Sequence, residues 1–304
     1  MKKFLIWLLA FIITVFAAYY QRKTGPTYPK RVTITLNGIN KEIKLVRSIG
    51  HDERSEVKLG IADTSIKATL FYKRFKTDDE YSQVPFVYRE YPVNSFVMNR
   101  IFKMTEEKGL FADIPQQPEA GKLQYYIDIT DNAGTRSVLK EQPVVVRYKG
   151  AVPSAILLPH ILIMFIAMLF STAAGLAAAF RLPVYKKYGI WTLILLTAGG
   201  MILGPVVQKY AFGALWTGIP FGWDLTDNKT LIAFVFWIMA VVINIKKDKP
   251  LATLLAAFIL LLVYSIPHSL LGSELDYSSN QVIQGTIIFF IQIQKIHKLS
   301  AALK

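Results

Sequence analysis

The sequence predicts an α-helical integral membrane bundle of about six helices, counting an N-terminal anchor, with an extracytoplasmic all-β sandwich domain. Three observations predict it. Residues 153–293 alternate long apolar runs with short polar loops, residues 24–150 break into short alternating segments bounded by turn residues, and Lys and Arg gather at the ends of the apolar runs. Alternation is the signal of a half-buried strand, and a run of about 20 apolar residues that of a membrane helix.

Composition narrows the function classes. The 304 residues are 53% apolar with positive mean hydropathy, and the length suits two domains. With no cysteine, a disulfide, a thiolate nucleophile, a thiolate-held metal and a covalent CXXCH haem are excluded. The net charge of +14 is read as cytoplasmic loop charge and attraction to the anionic lipid bilayer, with no nucleic acid as partner.

Residues 1–23 are expected to form a signal anchor helix. Lys2 and Lys3 precede an apolar run over 4–18, and Tyr19, Tyr20, Gln21, Arg22 and Lys23 suit an interface anchor better than a cleavage site. Ala17 and Ala18 leave cleavage open. Either way the next region is exported.

Residues 24–150 are expected to be the sandwich. Strand candidates are 32–36 and 41–46 about the Asn37-Gly38 turn, then 57–61, 66–75, 84–89, 96–98, 109–114, 123–129 and 144–148. Asp78, Asp79, Asp128 and Asp131 read as turn and edge carboxylates rather than a metal site. Of the adjacent Tyr125 and Tyr126, one faces the core and the other the surface. The stretch PQQPEAGKLQYYIDITDNAG, residues 115–134, resembles immunoglobulin-like or fibronectin-like modules. That resemblance implies the fold and says little of function.

Residues 151–304 are expected to be the polytopic helix bundle. The apolar runs are 154–180, 189–207, 230–245 and 251–266, and a shorter candidate at 281–293 holds Gln284 and Gln292. The Ala-rich stretch 172–179 and Gly199-Gly200 predict close helix packing, and Gly204-Pro205 a kink. The helices show almost no internal charge, which argues against ion-coupled transport. Lys2/Lys3, Arg181/Lys186/Lys187, Lys246/Lys247/Lys249 and Lys295/Lys298 fall on one side, which the positive-inside rule makes cytoplasmic. The expected location is therefore the cytoplasmic (inner) membrane, multi-pass, with 24–150 and the loops 210–229 and 267–280 outside.

Two of the four histidines, His160 and His268, then lie at the outward helix ends, whereas His51 falls in the sandwich and His297 in the basic tail. An imidazole in a membrane helix needs a partner. Either each makes a helix-packing hydrogen bond, or the two share a cofactor, for which a neutral imidazole is a strong axial haem ligand. The loop 210–229 supplies Phe212, Trp216, Phe221 and Trp223, interleaved with Gly213, Gly218 and Gly222. Flat side chains and close-approaching backbone suit a planar ligand. Asp224 and Asp227 hold the loop or cap the next helix.

The segment 212–216 with 222–227, running into 231–237, resembles the tryptophan-rich haem-handling loop of cytochrome c maturation membrane proteins. The resemblance matches Trp216, Gly222, Trp223 and Asp224 to that loop and makes His160 and His268 the flanking metal ligands. It implies non-covalent haem b, and a role in cytochrome maturation or electron handling at the outer membrane face. Phe212 stands where the family has tryptophan, and Thr226-Asp227-Asn228 replaces its proline-lysine-glutamate. The alternative is a non-enzymatic membrane scaffold whose sandwich domain binds an exported or membrane protein partner. No hydrolase spacing, HExxH, P-loop or dinucleotide fingerprint occurs, so no reaction is assigned.

Overall fold

The computed structural model describes residues 2–93, 99–100, 103, 105–268, 270 and 272–283. The chain divides into two compact units. One takes in Met1–Pro26 and Ala151–Glu274, the other Thr27–Gly150 and Leu275–Gln281.

Among the described residues of the helical unit four helices are long and apolar enough to cross a membrane: α1 (Lys2–Thr24), α2 (Ser154–Ala179), α3 (Tyr185–Phe212) and α4 (Leu225–Lys246). The apolar helix α5 (Pro250–Ser265) is shorter. Small residues set the helix spacing. Ala173, Ala174, Ala177 and Ala178 of α2 are buried, and a side chain at Gly175 would stand 2.7 Å from Ala257 of α5. Trp237 of α4 is fully buried, and Gly189 of α3 leaves room for its ring. The kink expected at Gly204-Pro205 takes another form. A π-helical stretch, Thr197–Leu203, interrupts α3 directly before those residues. Such widened turns often mark functional positions.

The sixth expected helix, 281–293, is corrected where it can be seen. Gln281–Ile283 is a short strand, and 284–293 lies outside the described residues, as do His297, the lysines at 295 and 298, and the strand candidate 96–98.

The β unit comprises separate sheets on one core. β1 (Lys30–Leu36) and β2 (Ile39–Leu45) form a hairpin about Asn37 and Gly38, both at positive φ. The three-stranded sheet orders β4 (Glu56–Leu59), β8 (Glu106–Asp113) and β7 (Val87–Pro92). The largest runs β3 (Ser48–Gly50), β11 (Val144–Lys149), β9 (Lys122–Asp131), β5 (Lys67–Arg74) and β6 (Ser82–Pro85), with β10 (Gly134–Val138) also on β9. β3 runs parallel to β11. Alternation along each strand sends Ile43, Leu45, Leu59, Leu110, Leu70 and Ile127 into a shared core.

Tyr125 is fully buried there, its hydroxyl donating to the Val46 carbonyl at 2.8 Å. Tyr126 faces the other way and stacks on Phe71 at 4.8 Å. Asp79 and Asp131 brace turns, and Asp128 accepts from the Ser137 hydroxyl of the paired strand. Asp79 accepts from Arg74, and Asp131 accepts from the amides of Asn37 and Ala133.

The segment Leu275–Gln281, grouped with the membrane half in the sequence, packs with the β unit. The Leu275 amide donates to the Ala120 carbonyl at 3.0 Å. The Tyr277 hydroxyl accepts from the Lys122 amide and donates to that residue's own carbonyl, both at 2.9 Å.

Candidate functional site

The loop after α3 is built by the motif that follows it. Gly213 ends α3 in the left-handed conformation (φ 83°), which a side chain would disfavour. Asp224 is the N-cap of α4. Its carboxylate accepts from the amides of Thr226 at 2.8 Å and Asp227 at 3.2 Å, which satisfies two orphan donors of the first turn. One turn on, the Asp227 carboxylate reaches back to the loop. It accepts from the Thr217 amide at 2.6 Å and the Thr217 hydroxyl at 3.2 Å. Asn228 accepts from the Ile219 amide at 2.7 Å, and Gln208 of α3 donates to the Thr217 hydroxyl at 2.6 Å. A Cβ at Gly218 would come within 2.6 Å of the Asp227 side chain, so only glycine allows this approach. The aspartates are thus fastenings for the loop, and both are buried.

The fastened loop borders a cavity of about 320 Å³ inside the helical unit. Its lining includes four of the expected site residues: His160, His268, Trp216 and Asp224. Most of the rest is apolar, with Met164 and Phe165 from α2 and Phe212 from α3. Gly222 and Trp223 are not in the lining, and Trp223 is 58% exposed. The Gly222 amide donates to the Gly218 carbonyl, which closes the turn directly before Trp223. The indole of Trp216 is held by a bond to the Ile219 carbonyl at 3.1 Å.

The two imidazoles are placed differently. His160 lies on α2, directly after Pro159. Its Nδ1 is 3.0 Å from the Gly199 carbonyl, in the π-helical stretch, where that oxygen also accepts from the Gly204 amide. A carbonyl can only accept, so Nδ1 carries the proton. Nε2 of the neutral ring keeps its lone pair. This is the arrangement that orients a metal-ligating histidine, whose second nitrogen donates to a carbonyl. The close approach depends on Gly199 and Gly200, since a Cβ on either would stand about 3 Å from side chains of α2 or α4. His268 lies three residues beyond the end of α5. It is exposed and lines the same cavity.

One residue of this neighbourhood escaped the sequence reading. Lys229 lies in the second turn of α4, is 4% exposed, and donates from Nζ to the Ile266 carbonyl at 2.6 Å. The apolar run suggests a helix start at residue 230, which leaves Lys229 in the loop. Reading Asp224 as the N-cap starts the helix at 225 and puts Lys229 inside it.

Among the described residues no group of three or more His, Cys, Asp or Glu side chains could hold a bare metal ion. A macrocycle that supplies four nitrogens of its own needs only two further ligands, and two imidazoles line this cavity. The cavity is at the lower end of the roughly 300–1,000 Å³ usual for ligand sites, and its apolar walls suit a planar apolar ligand. In donor chemistry, two imidazoles among apolar side chains, the lining suits that group. No protein-family model, curated protein or solved structure matches the chain.

Proposed function

We propose that the chain is a multi-pass protein of the cytoplasmic membrane that binds one non-covalent haem b and serves cytochrome maturation or electron handling at the outer face. One observation carries the reading: His160 and His268 line the same cavity, with His160 turned by the Gly199 carbonyl so that Nε2 is its free ligand atom. Trp216 lines that cavity as an apolar wall. Bound there, haem would supply one-electron chemistry, and two imidazole ligands would favour electron storage or handover over oxygen chemistry. The chain's own part is to orient the imidazoles and to surround the ligand with apolar side chains.

The same reading makes the β unit an extracytoplasmic immunoglobulin-like module and the helical unit a multi-pass membrane bundle. The lysine clusters support this orientation. Alkaline phosphatase fused after Asp276 is expected to be active and after Lys249 inactive, and the reverse pair would overturn the topology.

Haem b titrated into the purified full chain in mild detergent tests the cofactor. A saturable Soret band at one equivalent is expected, lost in the His160→Ala/His268→Ala double variant. Absence of that band in the parent chain rejects the haem reading and leaves the alternative, a membrane scaffold whose β unit binds an exported partner.

A further inference from the structure

α5 ends at Ser265, and Ile266 leaves it in an extended conformation (φ −70°, ψ 123°). Pro267 follows and has no N–H. The carbonyls of the last turn are therefore among those a helix cannot satisfy by itself, and they sit at the negative end of its dipole. A lysine can cap such an end. Here the cap comes from another helix: Lys229 of α4 reaches the Ile266 carbonyl at 2.6 Å. Nothing in the burial of apolar surface calls for an ammonium at this depth. Its removal from water is costly unless it is paired. The nearby charge of Asp224 offsets part of that cost.

The position of this bond is informative. Ile266 stands two residues before His268, and Pro267 between them stiffens the link by fixing φ. Lys229 also stands five residues after Asp224, the N-cap of α4 and part of the cavity lining. One short stretch of α4 thus touches the site twice, through the Asp224 cap and through the chain that presents His268.

We propose that Lys229 is a positioning residue for His268: by holding the Ile266 carbonyl, it fixes the segment that presents the second imidazole to the cavity. This rests on the haem reading above. It adds that ligation by His268, unlike ligation by His160, depends on a buried cation one helix away.

The test uses the full chain in detergent, loaded with haem b, and reads the ferric spin state and the haem affinity. Lys229→Met keeps the length and removes the donor. It is expected to retain haem through His160 but to lose the second imidazole, shifting the spectrum from six-coordinate low-spin toward five-coordinate high-spin. Occupancy of the His268 ligand should fall by about 10-fold or more, the loss expected for one charge-assisted bond. Added free imidazole should restore the low-spin form, a rescue that a misfolded site would not show. His268→Ala should behave the same way, and the double variant should be no worse than either single one, since both remove one interaction. Lys229→Arg should remain low-spin. Where Lys229→Met does not fold, Lys229→Gln, a neutral donor of shorter reach, is expected to give a mixture of spin states. A wholly low-spin Lys229→Met or Lys229→Gln protein of parental affinity overturns the proposal while the haem reading stands. A parent chain that binds no haem overturns both.

Discussion

Removing the Asp227 carboxylate should open the cavity's loop without disturbing the β unit. Asp227 is 5% exposed and holds the Thr217 amide at 2.6 Å and its hydroxyl at 3.2 Å. A hydrogen bond to a charged group contributes about 1.5–3 kcal/mol, and a buried amide left without an acceptor costs ~1–3 kcal/mol. These figures overlap, because one loss is partly the other. Asp227→Ala should therefore lower the free energy of loop opening by about 2–3 kcal/mol, or about 30- to 140-fold in the open population. Asp227→Asn keeps a carbonyl oxygen and loses only the charge, so ~1 kcal/mol and about 5-fold are expected. The assay is amide hydrogen exchange by mass spectrometry on the peptide over 213–223, in the regime where exchange follows the opening equilibrium. Its reporters are the bonded amides of Thr217, Ile219 and Gly222. Strand β9 serves as the internal reference. Parental exchange of the loop in Asp227→Ala would refute the view that Asp227 fastens it, and equal acceleration in β9 would show a global effect instead.

Two other outcomes are expected in the β unit. Tyr125→Phe should cost about 1 kcal/mol, the bond to the Val46 carbonyl, whereas Tyr125→Ala should cost ~3–5 kcal/mol for a fully buried aromatic; chemical denaturation of the full chain, followed by a β-unit probe, checks the order. The Arg74 guanidinium holds Asp79 down to about 2, below the usual ~3.9. A depressed folded value means the contribution is complete above the unfolded value and is lost as pH falls through about 2. Carbon-13 titration of the Asp79 carboxyl should thus show its midpoint near 2, and Arg74→Gln should return it toward the ordinary range.

The legible parts of the chain were those in which one residue type has one physical use. Apolar runs gave α1 to α5, because length and hydropathy suffice to mark a membrane helix. Alternation and the Asn37-Gly38 turn gave the hairpin, and the Tyr125/Tyr126 pair divided between two faces as strand geometry requires. The pairing of β3 parallel to β11 was not legible, because such a pairing joins residues about a hundred positions apart and leaves no local pattern.

At the site, shared placement of His160 and His268 followed from counting helix ends. Three features did not. The π-helical stretch at Thr197–Leu203 arises from packing that Gly199 and Gly200 permit, and sequence there shows only small residues. Trp223 stands among glycines as Trp216 does, and nothing in the sequence marks which of the two indoles lines the cavity. Lys229 was hidden by hydropathy, which starts α4 at the first apolar residue. The capping chemistry of Asp224 starts it five residues earlier. Reading caps before hydropathy would have placed the lysine inside the helix.

The central claim is that His160 and His268 ligate one haem together, and electron paramagnetic resonance of the ferric, haem-loaded full chain tests it most directly. Two imidazoles on one iron give a low-spin signal and no high-spin component, and either His160→Ala or His268→Ala should convert it to high-spin. A high-spin signal from the parent chain, or a low-spin signal that survives both substitutions together, would contradict the claim.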